Sequence, residues 1–162
     1  MTLLSVKLGA YLGAFGSCGI GGLPMSAFNV RFLGILEQVV HLGIKDSNGS
    51  MDFLISFVYA STNFLSWKSL CMDLEAYADS FSLPCCVMGD FNDIISLDEK
   101  LGRKPANPSK CSQFQYWGDN CGLADLGCDG PKFTWWNMRQ SPASAWKRLE
   151  RALANEEWTL RF

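Results

Sequence analysis

At 162 residues, with 48% hydrophobic and 13% aromatic side chains, the chain carries enough apolar material for one globular core. A net charge of −2 and a charged fraction of 19% argue against a broad basic platform for nucleic acid, though not against an acidic site set beside local lysines. Seven cysteines, an odd count with no Cys-x-x-Cys pair, read as reduced and mostly buried thiols rather than a disulfide framework or a zinc site.

The opening residues 1–25 are apolar and glycine-rich but lack a basic start. Lys7 interrupts the run and no small-x-small cleavage site is clear, so 1–20 read as an unspecified leader rather than a signal peptide. A nuclear or cytoplasmic location is therefore expected over secretion. No stretch reaches the length of a membrane span, and nothing implies a small-molecule cofactor. From Phe28 to Ile44, β-branched and aromatic residues in partial alternation predict strand. Lys45-Asp46-Ser47-Asn48-Gly49-Ser50 follows, and its Asn-Gly pair predicts a hairpin with Met51–Tyr59 as the return strand. The lone histidine, His41, falls inside the first of these strands and reads as a structural or surface residue.

Ser61, Thr62 and Asn63 offer cap oxygens to a helix starting near Phe64. Trp67, Leu70, Cys71, Leu74, Tyr77, Ala78 and Phe81 give it one apolar face, opposite Lys68, Asp73, Glu75 and Asp79. Cys85–Met88, bounded by Pro84 and Gly89, predicts a buried strand and completes a β-α-β unit. The adjacent Cys85 and Cys86 must then face opposite sides of the sheet. The strand discharges into Gly89-Asp90-Phe91-Asn92, at the strand end where open α/β sheets gather ligands. Asp90 can polarise a water or hold a cation and Asn92 can donate to an oxyanion, although both residues also favour plain turns. A helix is expected from Ser109 or Lys110 to about Asn120. Short strands are expected at Lys132–Trp136 and Trp146–Leu153, and a terminal helix capped by Asn155.

Five ordered blocks resemble the DNase I-like endonuclease/exonuclease/phosphatase family, and within it the endonuclease part of plant LINE-type (non-LTR) retroelement polyproteins. They are Gly89-Asp90-Phe91-Asn92-Asp93-Ile94-Ile95, Asp98-Glu99-Lys100-Leu101-Gly102 and Cys121-Gly122-Leu123-Ala124-Asp125-Leu126-Gly127, followed by Gly130-Pro131-Lys132-Phe133-Thr134-Trp135 and Arg148-Leu149-Glu150-Arg151-Ala152-Leu153-Ala154-Asn155. Weaker likeness extends upstream through Phe57-Val58-Tyr59-Ala60-Ser61 to about Gly21, so a partial domain is expected over 21–162.

The resemblance implies an α/β (α+β) fold, part of a four-layer β-sandwich flanked by helices, with one sheet largely present and the other lacking strands. It implies a Mg2+-dependent phosphodiesterase acting on DNA, with Asp90 and Asn92 as the family's Asp-x-Asn and Asp90 as the metal-binding carboxylate. Tyr59 matches an aromatic near the phosphate or else is a core tyrosine. Glu150 stands where the family has Asp, one methylene longer. The family's metal-binding Glu has no counterpart, since Glu37 falls too late, and neither has its Ser-Asp-His. The expectation is a catalytically inactive fragment. The alternatives are an active piece of a longer polyprotein with reverse transcriptase, which would supply the missing strands, and a non-catalytic nucleic-acid-binding remnant. Phe133 and Trp135 are expected in the core, with Trp136 open. Lys132, Arg139, Lys147, Arg148 and Arg151 read as a solvated basic face, with phosphate attraction as the other possibility.

Overall fold

The computed structural model describes residues 29–45, 47–78, 82–102, 104–128 and 130–162. The leader over 1–20, the start of the partial domain at 21, and Phe28, Asp79 and Phe81 lie outside them. The strands are β1 (Asn29–Ile35), β2 (Val39–Lys45), β3 (Met51–Tyr59), β4 (Cys85–Asp90), β5 (Lys100–Leu101), β6 (Ala124–Asp125), β7 (Trp135–Trp136), β8 (Trp146–Lys147) and β9 (Glu150–Ala154). The helices are α1 (Phe64–Ala78), α2 (Pro108–Asn120) and α3 (Glu156–Arg161), with one 3-10 turn over Leu97–Glu99.

The Asn-Gly hairpin forms as the turn chemistry dictates. Gly49 adopts φ 82°, and β2 pairs antiparallel with β3 in a register that sets Ile44 opposite Phe53. The single strand expected over 28–44 is two. The exposed Glu37 and the half-buried Gln38 break the apolar run, and the Leu36 amide closes the turn on the Val39 carbonyl at 2.9 Å. Asn63 caps α1, its Oδ1 accepting from the Leu65 and Ser66 amides at 3.0 and 3.2 Å. Helix α1 carries the chain from β3 to the parallel β4, which makes the expected β-α-β unit. Helix α2 begins earlier than its sequence suggests, because Asn107 caps it and Pro108 occupies its first turn. The strand expected over 132–136 shrinks to Trp135–Trp136.

The strands order as β1-β2-β3-β4-β9-β6 in one six-stranded sheet, with a separate three-stranded sheet, β5-β8-β7. Strict alternation divides the larger sheet into two faces. Leu54, Val58, Cys85, Val87 and Leu153 pack against Trp67, Leu70 and Leu74 of α1 and Phe114 and Trp117 of α2. Phe53, Ile55, Phe57, Cys86 and Ala154 face the other way, with Trp158 of α3. Cys85 and Cys86 thus enter opposite cores, and burial pushes their thiols up to about 11 and about 12. No helix of the described residues is long and apolar enough to cross a membrane.

Candidate active site

Gly89 is the residue that lets the site form. At φ 138° it lies so close to β3 that an added Cβ would stand 2.0 Å from the Val58 carbonyl oxygen. That approach keeps the ladder regular up to Asp90, which pairs with Tyr59 on one side and Glu150 on the other. Residues directly opposite across strands share a face. Tyr59, Asp90 and Glu150 therefore stand side by side at one rim of the sheet, in phase with Phe57, Met88 and Ala152 and opposite the face under α1 and α2. Asp90 is 9% exposed, Tyr59 half-buried and Glu150 exposed.

Asn92 follows in the left-handed region at φ 51°. Its backbone amide donates to Asp90 Oδ1 at 2.9 Å and its side-chain amide to the Ala60 carbonyl at 2.6 Å. The carboxamide thereby ties the end of β4 to the chain leaving β3. The strand-end turn and the Asp-x-Asn pair are the same structure here. Phe91 drops into the helix-side core, where its ring meets Phe114 and its carbonyl accepts from the Trp67 indole at 3.0 Å.

His41 lies on the other face of the sheet. It is in phase with Val39, its Nδ1 is 2.8 Å from Ser56 Oγ, and its ring stacks on Tyr77 of α1 at 3.7 Å. Burial lowers its pKa to about 4, so it is a neutral core residue at ordinary pH. The sheet itself separates it from the Tyr59–Asp90–Glu150 row.

Two arginines expected on a basic surface are buried. Arg148 reaches Glu99 Oε1 at 3.0 Å and Asp125 Oδ1 at 2.8 Å. Arg151 reaches Glu99 Oε2 and Asp125 Oδ2, both at 2.7 Å, and lies 5.3 Å from the centre of the Phe114 ring. Burial raises the Glu99 carboxyl pKa, but the hydrogen bond and charge of Arg151 outweigh it and hold the carboxyl below its usual range. Asp125 is lowered against the same burial, chiefly by Arg148. The neighbouring Thr134 hydroxyl accepts from the Leu149 and Glu150 amides at 3.0 and 3.1 Å. Glu99, Asp125, Thr134, Arg148 and Arg151 come from four of the five sequence blocks, and together they build the scaffold under the rim. The sequence offered no signal for this cluster. Period-two alternation would put Arg148 and Arg151 on opposite faces, but Arg148 precedes β9 and is free to turn inward.

No group of three or more histidine, cysteine or carboxylate side chains converges among the described residues. Asp90 and Glu150 bring two carboxylates together, and one Asp90 oxygen already accepts the Asn92 amide. Mg2+ is usually held through one or two carboxylates together with waters and substrate oxygens, and Asp90 and Glu150 are the rim carboxylates that could contribute to such a site.

A groove opens beside the rim. One part, about 460 Å³, is lined by Thr62, Asn92, Asp93 and Lys110 and shares Lys100, Lys104, Trp135 and Lys147 with a second part of about 530 Å³ that runs on to Arg139. Trp135 is 41% exposed there. The core placement expected for it fails because β7 belongs to the small three-stranded sheet, where the Trp135 ring lines the groove, while Phe133 is half-buried.

No family model matches the sequence, and no curated protein matches it. Solved structures do. The endonuclease domain of TRAS1, a telomere-specific non-LTR retrotransposon, aligns over 81% of this chain with a TM-score of 0.63 and 15% identity. The chain spans 57% of that structure's length. Beta toxin from Staphylococcus aureus aligns over 74% of this chain and 43% of its own, with a TM-score of 0.46 and 13% identity. The human Nocturnin catalytic domain aligns over 79% and 47%, with a TM-score of 0.41 and 14% identity. The mixed α/β architecture, a multi-strand sheet flanked by helices, matches the DNase I-like fold of that endonuclease domain.

Proposed function

We propose that the chain is a fragment of a plant LINE-type endonuclease domain that faces DNA but does not cleave it. The observation that carries this reading is the row of Tyr59, Asp90 and Glu150 at one rim, with the chain's single histidine on the opposite face of the sheet. Phosphodiester hydrolysis by the Mg2+ route needs a well-held cation, an activated water and a proton-transfer or charge-stabilising partner at the phosphate. Asp90 would be one ligand, and Asn92 is committed to the Ala60 carbonyl. Glu150 carries one methylene more than the Asp of the resembled motif, and geometric errors of this kind are costly in catalysis. The domain begins near Gly21 in this reading, and the protein works in the nucleus or cytoplasm.

Purified chain is expected to leave supercoiled plasmid intact in Mg2+ or Mn2+, and Glu150→Asp to restore nothing. Divalent-dependent nicking abolished by Asp90→Ala would overturn the proposal. The second reading, an active piece of a longer polyprotein carrying reverse transcriptase, is favoured by the chain's spanning 57% of the TRAS1 domain. Nicking that appears only when flanking sequence is joined at both ends would select it.

A further inference from the structure

The small sheet divides its side chains into two rows. Lys100, Lys147 and Trp135 are register partners on one row, and Leu101, Trp146 and Trp136 on the other. Trp136 and Trp146 stack on each other at 5.0 Å and 9°, which covers one face of each ring. Trp135 has no such ring partner among the described residues and lines the groove, with Lys147 Nζ 5.6 Å from its centre.

The charged side chains lining the part of the groove that runs on to Arg139 are of one sign, while Asp93 lines the other part beside Lys110. Lys100, Lys104, Lys147 and Arg139 share this groove, and among the described residues none of the four forms an ion pair with a carboxylate. The Lys100 ammonium donates to the Pro105 carbonyl at 3.4 Å. Its pKa is lowered by burial and by the neighbouring charges of Lys147 and Lys104. A convergent set of cations that repel one another is relieved by a polyanion.

Building on the proposed nucleic-acid-facing role, we infer that this groove is a metal-independent binding site for a single-stranded nucleic-acid segment. A base stacks on Trp135, and the flanking phosphates lie on Lys100, Lys104, Lys147 and Arg139. The exposed tryptophan is what selects a single strand. In a duplex each base face is already covered by its neighbours, and Trp135 would meet only edges and backbone. An unpaired base has a free face, and stacking on an aromatic ring tolerates any base.

The test is fluorescence anisotropy of a labelled oligothymidylate against a hairpin duplex with the same number of phosphates, in EDTA. Oligothymidylate is expected to bind about tenfold tighter or more, Trp135→Ala to erase that preference and Trp135→Phe to keep most of it. Replacing Lys100 and Lys147 together by Gln should flatten the slope of log affinity against log salt by about 1.4. Oligouridylate should match oligothymidylate, since neither stacking nor phosphate contact reads the sugar. Equal binding of strand and duplex, an unaffected Trp135→Ala variant, or a strong preference for one sugar would overturn the inference. Failure here leaves the non-cleaving reading standing, because that reading is judged by plasmid nicking alone.

Discussion

At the scale of single residues, the buried polar groups are the ones whose removal is felt. Arg151 sits in a four-charge cluster with Glu99, Asp125 and Arg148, in which the Nε groups of both arginines find no acceptor among the described residues, and cutting one partner from such a cluster leaves charge buried without compensation. Arg151→Ala should cost about 3–5 kcal/mol in urea denaturation, whereas Arg161→Ala, which removes an exposed pair with Asp52 and contacts over the Phe53 and Phe162 rings, should cost about 1 kcal/mol. His41 gives a pH signature. Its pKa is about 4 in the folded chain against 6.5 unfolded, so the unfolded state takes up the proton first on acidification. Stability is full above pH 6.5 and falls toward pH 4, by up to about 3 kcal/mol. His41→Phe should flatten that part of the stability profile, read from urea midpoints between pH 4 and 7. The sequence read His41 as structural or surface, and its burial makes it structural. It misread Arg148 and Arg151, because charge in a list of residues carries no mark of burial.

At the scale of elements, Asn155 joins three of them. Its Oδ1 accepts from the Trp158 amide of α3 at 3.0 Å and from the Cys85 amide at the start of β4 at 2.9 Å, while its Nδ2 donates to the Leu83 carbonyl at 2.9 Å. Losing a simple helix cap costs about 1 kcal/mol. Asn155→Ala should cost more than that, about 2–3 kcal/mol by thermal or urea melts, because two sheet-edge groups lose their partner as well. Asn155→Asp should recover the two accepted bonds and not the donated one. The sequence announced Asn155 only as a cap. The β-α-β unit through α1 and the Asn-Gly hairpin were legible because turn chemistry and apolar spacing act locally. The β5-β8-β7 sheet was not, since each of its strands is two residues long and exists only through pairing with distant segments.

At the scale of the whole molecule, the larger sheet ends at β1 among the described residues, and Phe32, Ile35 and Leu36 are exposed along it. An apolar, unpaired edge is a template for another strand. Purified chain should associate with rising concentration in light scattering, and Ile35→Lys should suppress that association without lowering the melting temperature. A monomer at all concentrations with a sharp cooperative melt would sink this expectation. The division of the sheet into two faces has a consequence for how such a chain ages under mutation. Along β9, Arg151 and Leu153 hold the fold, while Glu150 faces the rim. Copies that drift can shed their rim chemistry one substitution at a time and still fold, whereas the reverse order of loss is closed to them. Rim and core can vary independently in this architecture because neighbouring residues answer to different sides of the same strand.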